Sequence, residues 1–233
     1  PDQSMSRIAG KALLSLLHAE GWWKMEFPQL LHRAASESGF SQEEVKEIVR
    51  ESLRAFPGPC RKVLLLPPDY TRNASGVGKL TAMYYDYLTE NSCQVDVMPA
   101  LGTHKPMTKH EIEEMFCGRI PADKVLVHRW REDVVKIGSI PQEYMERVSE
   151  GWLKEPLEVE INSKLVDPSY DLVISIGQVV PHEVVGMANY SKNIFVGCGG
   201  REIISKSHII GAVYGVERVM GRDFTPPRFV FDY

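Results

Sequence analysis

Short aliphatic runs separated by helical patterns are the feature that most restricts the fold. Lys62–Leu66 (KVLLL) and residues 171–176 (DLVISI) have the length and composition of buried strands, and residues 94–101 predict another. Residues 125–128 predict a further, shorter strand after residues 94–101. Alternating strands and helices of these lengths predict an α/β, Rossmann-like domain with a mainly parallel sheet and helices on both faces.

Helix starts are marked clearly in two places. Capping boxes begin at Ser41 and at Thr108, each with a Glu three residues later and apolar residues at helical spacing beyond. A further helix is predicted over residues 202–220. Residues 131–170 mix apolar runs with prolines, and we interpret them as an insertion of strands with one helix. The α/β domain is expected to cover residues 41–224.

Composition excludes several classes of function. The chain has 233 residues, a net charge of −4 and no arginine-rich tract, so nothing in it indicates nucleic-acid binding. No apolar run approaches the roughly 20 residues that span a bilayer. The four cysteines are scattered without CxxC spacing, which favours free thiols in a reducing compartment. With no signal-peptide pattern near the start of the chain, a cytoplasmic location is expected.

Polar residues follow three of the predicted strands. Asp69 and Arg72 come after the first strand, His104 after the second, and His182 after residues 171–176. In open α/β sheets, ligands bind outside the carboxyl ends of the strands, so these side chains are expected to gather at one edge. Asp69 also suits a turn or a helix cap, and that alternative stays open.

The segment 177–208 carries the densest set of reactive side chains. It contains His182, Lys192 and His208, with Gly186, Gly197, Gly199 and Gly200 between them, where the backbone can approach a ligand or take positive φ. Taken singly, each histidine could be structural and the lysine solvated.

His208 is predicted to lie inside a helix, with Gly211 and Gly215 on the same face. These glycines would leave a notch beside the imidazole. The notch could admit a cofactor or a closely packed backbone, and the sequence favours neither.

Together these residues resemble the N-terminal domain of the nickel-pincer lactate racemase family. The resemblance covers roughly residues 60–221. It rests on four separated signatures, namely Asp69-Tyr-Thr-Arg72, Gly102-Thr-His104-Lys-Pro-Met-Thr108, Pro181-His182, and Lys192 followed sixteen residues later by His208.

The resemblance implies a cofactor, the nickel pincer nucleotide, which is a pyridinium mononucleotide with sulfur and carbon ligands to Ni(II). Lys192 would carry it through a thioamide link, and His208 would supply a nickel ligand. Asp69 and Arg72 would contact the cofactor or the substrate. The residue types suit these roles, since a deprotonated amine attacks carbonyl-like carbon and imidazole binds Ni(II) well.

The resemblance also implies an activity, racemisation or epimerisation of a 2-hydroxy acid. His104 and His182 would be the acid–base pair, one for each face of the substrate carbon, while hydride passes to the pyridinium ring. Two histidines with pKa values near the operating pH would fit that symmetrical task.

Two departures from the family pattern affect the substrate and the domain organisation. Residues 187–191 (MANYS) are bulkier than the Gly/Ser-rich approach to the lysine in lactate racemases, which favours another 2-hydroxy acid or a sugar acid. Residues 225–233 are interpreted as the start of a hinge to a further C-terminal domain, without which activity would be poor. Residues 1–40 are interpreted as an N-terminal helical segment of uncertain role.

The implied partners are a small 2-hydroxy acid, that C-terminal domain and the enzymes that build the cofactor. Two other hypotheses remain. One is a catalytically silent nucleotide-binding or regulatory module of the same fold. The other is a lyase or hydrolase in which the histidines bind a metal directly, although no HxxxH or HExxH core is present.

Overall fold

The computed structural model describes residues 29–233. Short 3₁₀ helices at Tyr70–Ser75, Ala122–Lys124 and Ser163–Val166 connect some of the longer elements. In chain order, the helices and strands are α1 (Gln42–Arg54), β1 (Lys62–Leu66), α2 (Val77–Glu90), β2 (Gln94–Val97), α3 (Lys109–Met115), β3 (Val134–Ile140), α4 (Gln142–Val148), β4 (Leu157–Asn162), β5 (Leu172–Ser175), β6 (Pro181–His182), β7 (Gly186–Met187), α5 (Ser191–Phe195), α6 (Arg201–Tyr214), α7 (Val216–Val219) and α8 (Pro226–Phe231).

The central sheet has three parallel strands in the order β2–β1–β5. β1 is in the middle, and Leu64 and Leu65 are fully buried because both faces of the sheet are covered. On one face, Val63 and Leu65 pack with apolar residues of α1, α2 and α3. On the other face, Leu64 and Leu66 pack with residues of α5 and β4. The predicted α/β class with a mainly parallel sheet is confirmed.

A second layer is built on the antiparallel hairpin β3–β4. Helix α6 lies against β4, and α8 lies against α4, α5 and α6. Their apolar side chains form a separate core that includes Leu157, Ile203, Ile210 and Phe231. This layer matters for function because it holds the loop that leads into α5.

Some predicted boundaries differ from the structure. The strand predicted over residues 94–101 ends at Val97, although Ala100 still forms a bridge with Pro68. Residues 125–128 do not form a strand. They make one bridge, from Val125 to Val97, because His128 then turns inward to the carbonyl of Gly199.

The helix predicted over residues 202–220 is interrupted. It ends at Tyr214 because Gly215 takes a φ of 87°, and the short helix α7 follows. Residues 225–233 contain α8, which packs into the domain, so Pro226 and Pro227 open a helix; whether a hinge follows stays a prediction. The helical segment predicted for residues 1–40 falls mostly outside the described residues, and 29–40 contain no helix.

Within the described range, no helix is both long enough and apolar enough to cross a bilayer.

Candidate functional site

A cleft opens at the carboxyl edge of the parallel sheet, where the segments after β1 and β5 meet the start of α5. Its empty space, counted out to the solvent, is ≈ 370 Å³. Arg72 comes from the segment after β1, and Lys192 from the first turn of α5. The lining residues are Pro68, Arg72, Gly177, Gln178, Val180, Ala188, Asn189, Lys192 and Asn193.

Asp69 and His104 form a carboxylate–imidazole pair at this edge. The Nδ1 atom of His104 lies 2.6 Å from Oδ2 of Asp69. Asp69 is buried and also caps the 3₁₀ helix that follows, accepting hydrogen bonds from the backbone N–H and hydroxyl of Thr71 through Oδ1. Because the carboxylate accepts, the neutral form of His104 carries its proton on Nδ1 and keeps a lone pair on Nε2. Asp69 therefore orients His104, and its predicted contact with a cofactor or substrate stays a prediction.

His182 has the opposite arrangement. It is buried, and its Nδ1 accepts the backbone N–H of Val184 at 3.1 Å. Burial, together with the nearby positive charge of Lys192, lowers the pKa of His182 to about 4. The ring is thus neutral at pH 7 and carries its proton on Nε2. The expectation that both histidines titrate near the operating pH is wrong for His182, because the ring is desolvated beside a cation.

Lys192 is a half-buried amine in the wall of the cleft. Within residues 29–233, its Nζ atom has no hydrogen bond or ion pair. Burial and the positive charge of Arg72 lower its pKa, while Glu183 and Asp69 act in the opposite direction. A lowered pKa increases the share of free amine, which is the nucleophilic form.

The loop before Lys192 has an unusual backbone. Asn189 and Tyr190 have φ values of 66° and 55°, a region that is costly for a tyrosine. The amide of Asn189 donates to the carbonyl of Gly177, and Asn193 donates to Asn189 at 2.9 Å. Asn193 also donates to Ser175 at the end of β5. These amides tie the start of α5 to the sheet edge, which fixes where Lys192 emerges.

His208 lies on an exposed part of α6. Its Nδ1 lies 2.6 Å from the carbonyl oxygen of Ile204, one turn earlier, so Nδ1 donates and Nε2 keeps its lone pair. A backbone carbonyl behind the ring is the usual support of a histidine that binds a metal. His208 is close enough to His182 that a positive charge on His208 would lower the pKa of that ring.

Arg72 supplies a second positive charge to the cleft. Its guanidinium has no hydrogen bond or ion pair in the described part of the chain, and it acts electrostatically on both Lys192 and His182. Two cations without a partnering carboxylate in one cleft favour an anionic ligand. Of the six predicted site residues, Arg72 and Lys192 line the cleft, and Asp69 with its partner His104 and the buried His182 lie near them. His208 lies on exposed α6 and reaches this group only through its electrostatic effect on His182, and the individual roles stay predictions.

The glycines of the segment 177–208 serve packing more than ligand access. A Cβ at Gly197, Gly199 or Gly200 would collide with Asn193, Phe195 or Glu160 respectively. Gly186 does take positive φ, but it lies against the carbonyl of Arg222. The expectation that these glycines approach a ligand is not met at these positions, because neighbouring protein atoms fill the space.

The notch beside His208 is occupied as well. A Cβ at Gly211 would lie 2.5 Å from the carbonyl oxygen of Val184. Of the two alternatives left open by the sequence, close backbone packing is the one observed at this position.

A metal site made of protein side chains alone was the third hypothesis. Across residues 29–233, no group of three or more His, Cys, Asp or Glu side chains is placed to hold a metal ion. The hypothesis therefore finds no support in that range, and His208 would need other donors to complete a nickel site.

Comparison with known proteins decides the family. The family model of the lactate racemase N-terminal domain matches residues 28–220. The chain belongs to this family. The predicted family membership is confirmed, and all six predicted site residues lie inside the matched range. No curated protein matches the chain.

A solved structure shares the lactate racemase N-terminal fold. It is the crystal structure of a protein from Thermotoga maritima, with a TM-score of 0.73 and 26% sequence identity. The match covers 82% of this chain and 46% of the Thermotoga chain. The present chain therefore spans less than half of that protein's length.

The residues present fit the cofactor that the resemblance implies. Lys192 offers an amine with a lowered pKa and no partner among the described residues, and it opens into a cleft with room for a small group. His208 offers an Nε2 lone pair with its tautomer fixed from behind. Imidazole is a suitable donor to Ni(II), with sulfur donors coming from the cofactor itself.

Sequence reasoning missed Arg228 of α8, a buried residue that contacts the loop before Lys192. It is 5% exposed and donates to the carbonyl of Met187 at 2.6 Å and to the hydroxyl of Ser191 at 2.8 Å. No motif marks it, because it follows Pro226 and Pro227 in a stretch that resembles a linker. Only the fold places it behind Lys192.

Proposed function

We propose that this chain is the cofactor-bearing domain of a cytoplasmic racemase or epimerase that acts on a 2-hydroxy acid through a nickel pincer nucleotide. One observation carries the proposal. The Lys192 amine opens into a cleft at the carboxyl edge of the sheet, without a hydrogen-bond or ion-pair partner within residues 29–233, and with a lowered pKa. A buried cation without a partner is costly, so a site that keeps one is expected to use the free amine.

Lys192 would hold the cofactor covalently, and Nε2 of His208 would be a ligand of its nickel. When bound, the nucleotide supplies the hydride acceptor, a chemistry that side chains lack. The Arg72 guanidinium faces the same cleft and would pair with an anionic group, either the carboxylate of the substrate or the phosphate of the nucleotide. Asp69 would act mainly through His104.

The two histidines would handle the proton of the substrate hydroxyl. Nε2 of His104 has a free lone pair backed by Asp69, so it would accept that proton. Nε2 of His182 carries a proton. It would donate a hydrogen bond to the same hydroxyl oxygen, or act at the opposite face of the substrate carbon. In this state His104 can accept a proton at Nε2 and His182 can donate one, which suits one direction of the reaction. The reverse direction needs the opposite state, with the proton on Nε2 of His104 and the lone pair on Nε2 of His182.

The openness of the site supports a need for a second domain. The His104 side chain is 60% exposed, and Arg72 and His208 are also exposed. Water at the reacting carbon would compete with hydride return, so the present chain alone is expected to have poor activity. A further C-terminal domain, the enzymes that build the cofactor, and a small 2-hydroxy acid are the proposed partners.

The substrate is proposed to be larger than, or different from, lactate. The bulky segment 187–191 contributes Ala188 and Asn189 to the wall of the cleft. A wall built from these side chains differs from a Gly/Ser-rich one, which supports another 2-hydroxy acid or a sugar acid as the substrate. Racemisation assays over a series of 2-hydroxy acids of increasing length would decide, and lactate as the best substrate would contradict the proposal.

The deciding experiment is intact-mass spectrometry of the full-length protein, produced with the cofactor-building enzymes. We expect an adduct that peptide mapping places on Lys192. Lys192→Arg should abolish it, while Lys206→Arg, at a lysine that already pairs with Glu202, should leave it unchanged. An unmodified chain under maturing conditions would overturn the racemase proposal and favour the silent nucleotide-binding module.

A further inference from the structure

Helix α8 reaches behind the loop that delivers Lys192. We infer that Arg228 is a positioning residue for Lys192: its guanidinium holds the loop 187–191 in the conformation that directs the amine into the cleft. The inference rests on the proposed function only in what the amine is used for, namely attachment of the cofactor.

The geometry of Arg228 is that of a clamp on backbone carbonyls. One terminal nitrogen donates to the carbonyl of Met187 at 2.6 Å. The other donates to the hydroxyl of Ser191 at 2.8 Å and lies 3.4 Å from the carbonyl of Asn189. A single planar group thus reaches three successive parts of the loop, which only the fork of arginine donors can do.

The loop needs such support because its backbone is strained. Tyr190 combines a φ of 55° with a ψ of −142°, outside the region that ordinary residues occupy readily. Strain of this kind persists only where the surroundings over-determine the conformation, and it clusters at functional sites. Lys192 is two residues further on, at the start of α5, so relaxation of the loop would move the amine.

The clamp is anchored on its other side by the rest of α8. The Thr225 hydroxyl caps that helix and donates to the carbonyl of Val185, and Asp232 accepts from the Ser191 hydroxyl at 2.7 Å. Ser191 is therefore held by Arg228 within α8 and by Asp232 at its C-terminal cap.

Arg228 also acts on Lys192 through its charge. In the described part of the chain it forms no ion pair within 4.0 Å, since the oxygens nearest to it belong to carbonyls and a hydroxyl. Burial is the main cause of the lowered pKa of Lys192, and the positive charges of Arg72 and Arg228 lower it further. Glu183 and Asp69 act in the opposite direction. Position and charge thus favour the free amine together.

The test measures the amine directly, in the cofactor-free chain of 233 residues. Lys192 is acetylated with limiting acetic anhydride from pH 7 to 11 and quantified by peptide mass spectrometry, with exposed Lys79 as the internal reference. The readout is the ratio of labelling at pH 8 to labelling at pH 11, which cancels changes in access. Wild type is compared with Arg228→Ala, Arg228→Lys and Ser191→Ala. The control is Arg218→Ala, at an exposed arginine that pairs with Glu150.

We expect the ratio to fall about threefold or more in Arg228→Ala. The reason is that access of water to the amine and loss of the neighbouring positive charge both raise the pKa of Lys192. Arg228→Lys keeps the charge but cannot span the three acceptors, so it should also lower the ratio. Ser191→Ala, the mildest change, should do so to a smaller degree and remain folded by circular dichroism. Arg218→Ala should match wild type.

Two results would overturn the inference. In one, Arg228→Lys and Ser191→Ala keep the wild-type ratio while the melting temperature falls, which would make Arg228 a structural residue only. In the other, only Arg228→Ala lowers the ratio, which would mean that charge acts without positioning. Normal labelling without any adduct in the matured protein would instead count against the racemase proposal and leave the role of Arg228 intact.

Discussion

Nδ1 of His104 donates to Asp69 across 2.6 Å, whereas Nδ1 of His182 accepts from the backbone of Val184. The two histidines of the site therefore hold opposite tautomers. One presents a lone pair at Nε2 and the other presents a proton. The difference originates in the group that contacts Nδ1, which is a carboxylate for His104 and a backbone amide for His182.

Replacing Asp69 should release the ring of His104. In Asp69→Ala, we expect a mixture of the two neutral tautomers in two-bond ¹⁵N–¹H spectra, in place of the Nδ1–H form alone. The lost cap on the 3₁₀ helix should lower the free energy of unfolding by about 0.5–2 kcal/mol. Asp167→Ala is the matched control, because Asp167 accepts from the backbone of Ser169 and touches no histidine. An unchanged His104 spectrum in Asp69→Ala would contradict the pairing.

The buried His182 predicts a pH dependence of stability. Its pKa of about 4 in the folded chain lies below the unperturbed value of 6.5, so the unfolded chain binds the proton first. The free energy of unfolding should therefore fall as the pH is lowered from about 6.5 to about 4, and the contribution is fully present above pH 6.5. Urea titrations at several pH values give the free energy of unfolding as a function of pH. In His182→Gln, this free energy should change less steeply with pH over this range than in the wild type. The same slope in the variant and the wild type would be the contrary result.

Removing His208 should affect metal content and leave the fold intact. In His208→Ala of the matured full-length protein, we expect a loss of bound nickel by plasma mass spectrometry, because its Nε2 is the donor with a supported tautomer. The change in the free energy of unfolding should be within about 0.5 kcal/mol, since the residue is exposed. His110→Ala, at another exposed helical histidine, should retain nickel. Wild-type nickel content in His208→Ala would rule out the ligand role.

Packing at Gly211 gives a test of the fold beside His208. In Gly211→Ala the new methyl would meet the carbonyl of Val184, and we expect a loss of about 1–3 kcal/mol despite the better helix propensity of alanine. Gly138→Ala is the matched control because a methyl there meets no atom within 4 Å, so it should be neutral or slightly stabilising. Equal midpoints of urea unfolding for both variants would refute the close contact.

Much of the framework could be predicted from sequence because local patterns decide it. Both capping boxes form as expected, at Ser41 and Thr108, since the interacting atoms lie three residues apart. β1 has the predicted bounds because every residue after Lys62 is buried on both faces of the sheet. The gathering of polar residues at one edge follows from parallel topology.

The remaining features depend on contacts between distant segments. His128 turns away from a strand because Asn162 and Gly199 provide hydrogen bonds far along the chain. The lowered pKa of His182 comes first from burial and then from the positive charge of Lys192, and no local pattern encodes either. For the same reason, no local pattern encodes the orienting role of Asp69, because His104 lies 35 residues further along the chain.

Helix α8 begins at Pro226, beyond residue 220, where the lactate racemase N-terminal domain match ends. A protein trimmed to the matched range would retain every signature that identifies the family. It would also lose the guanidinium that satisfies the carbonyls of Met187 and Asn189, and it would uncover the apolar surface now shielded by Phe231. Such a trimmed protein could look correct by sequence and still misplace its reactive lysine, so expression boundaries for this domain belong after Asp232.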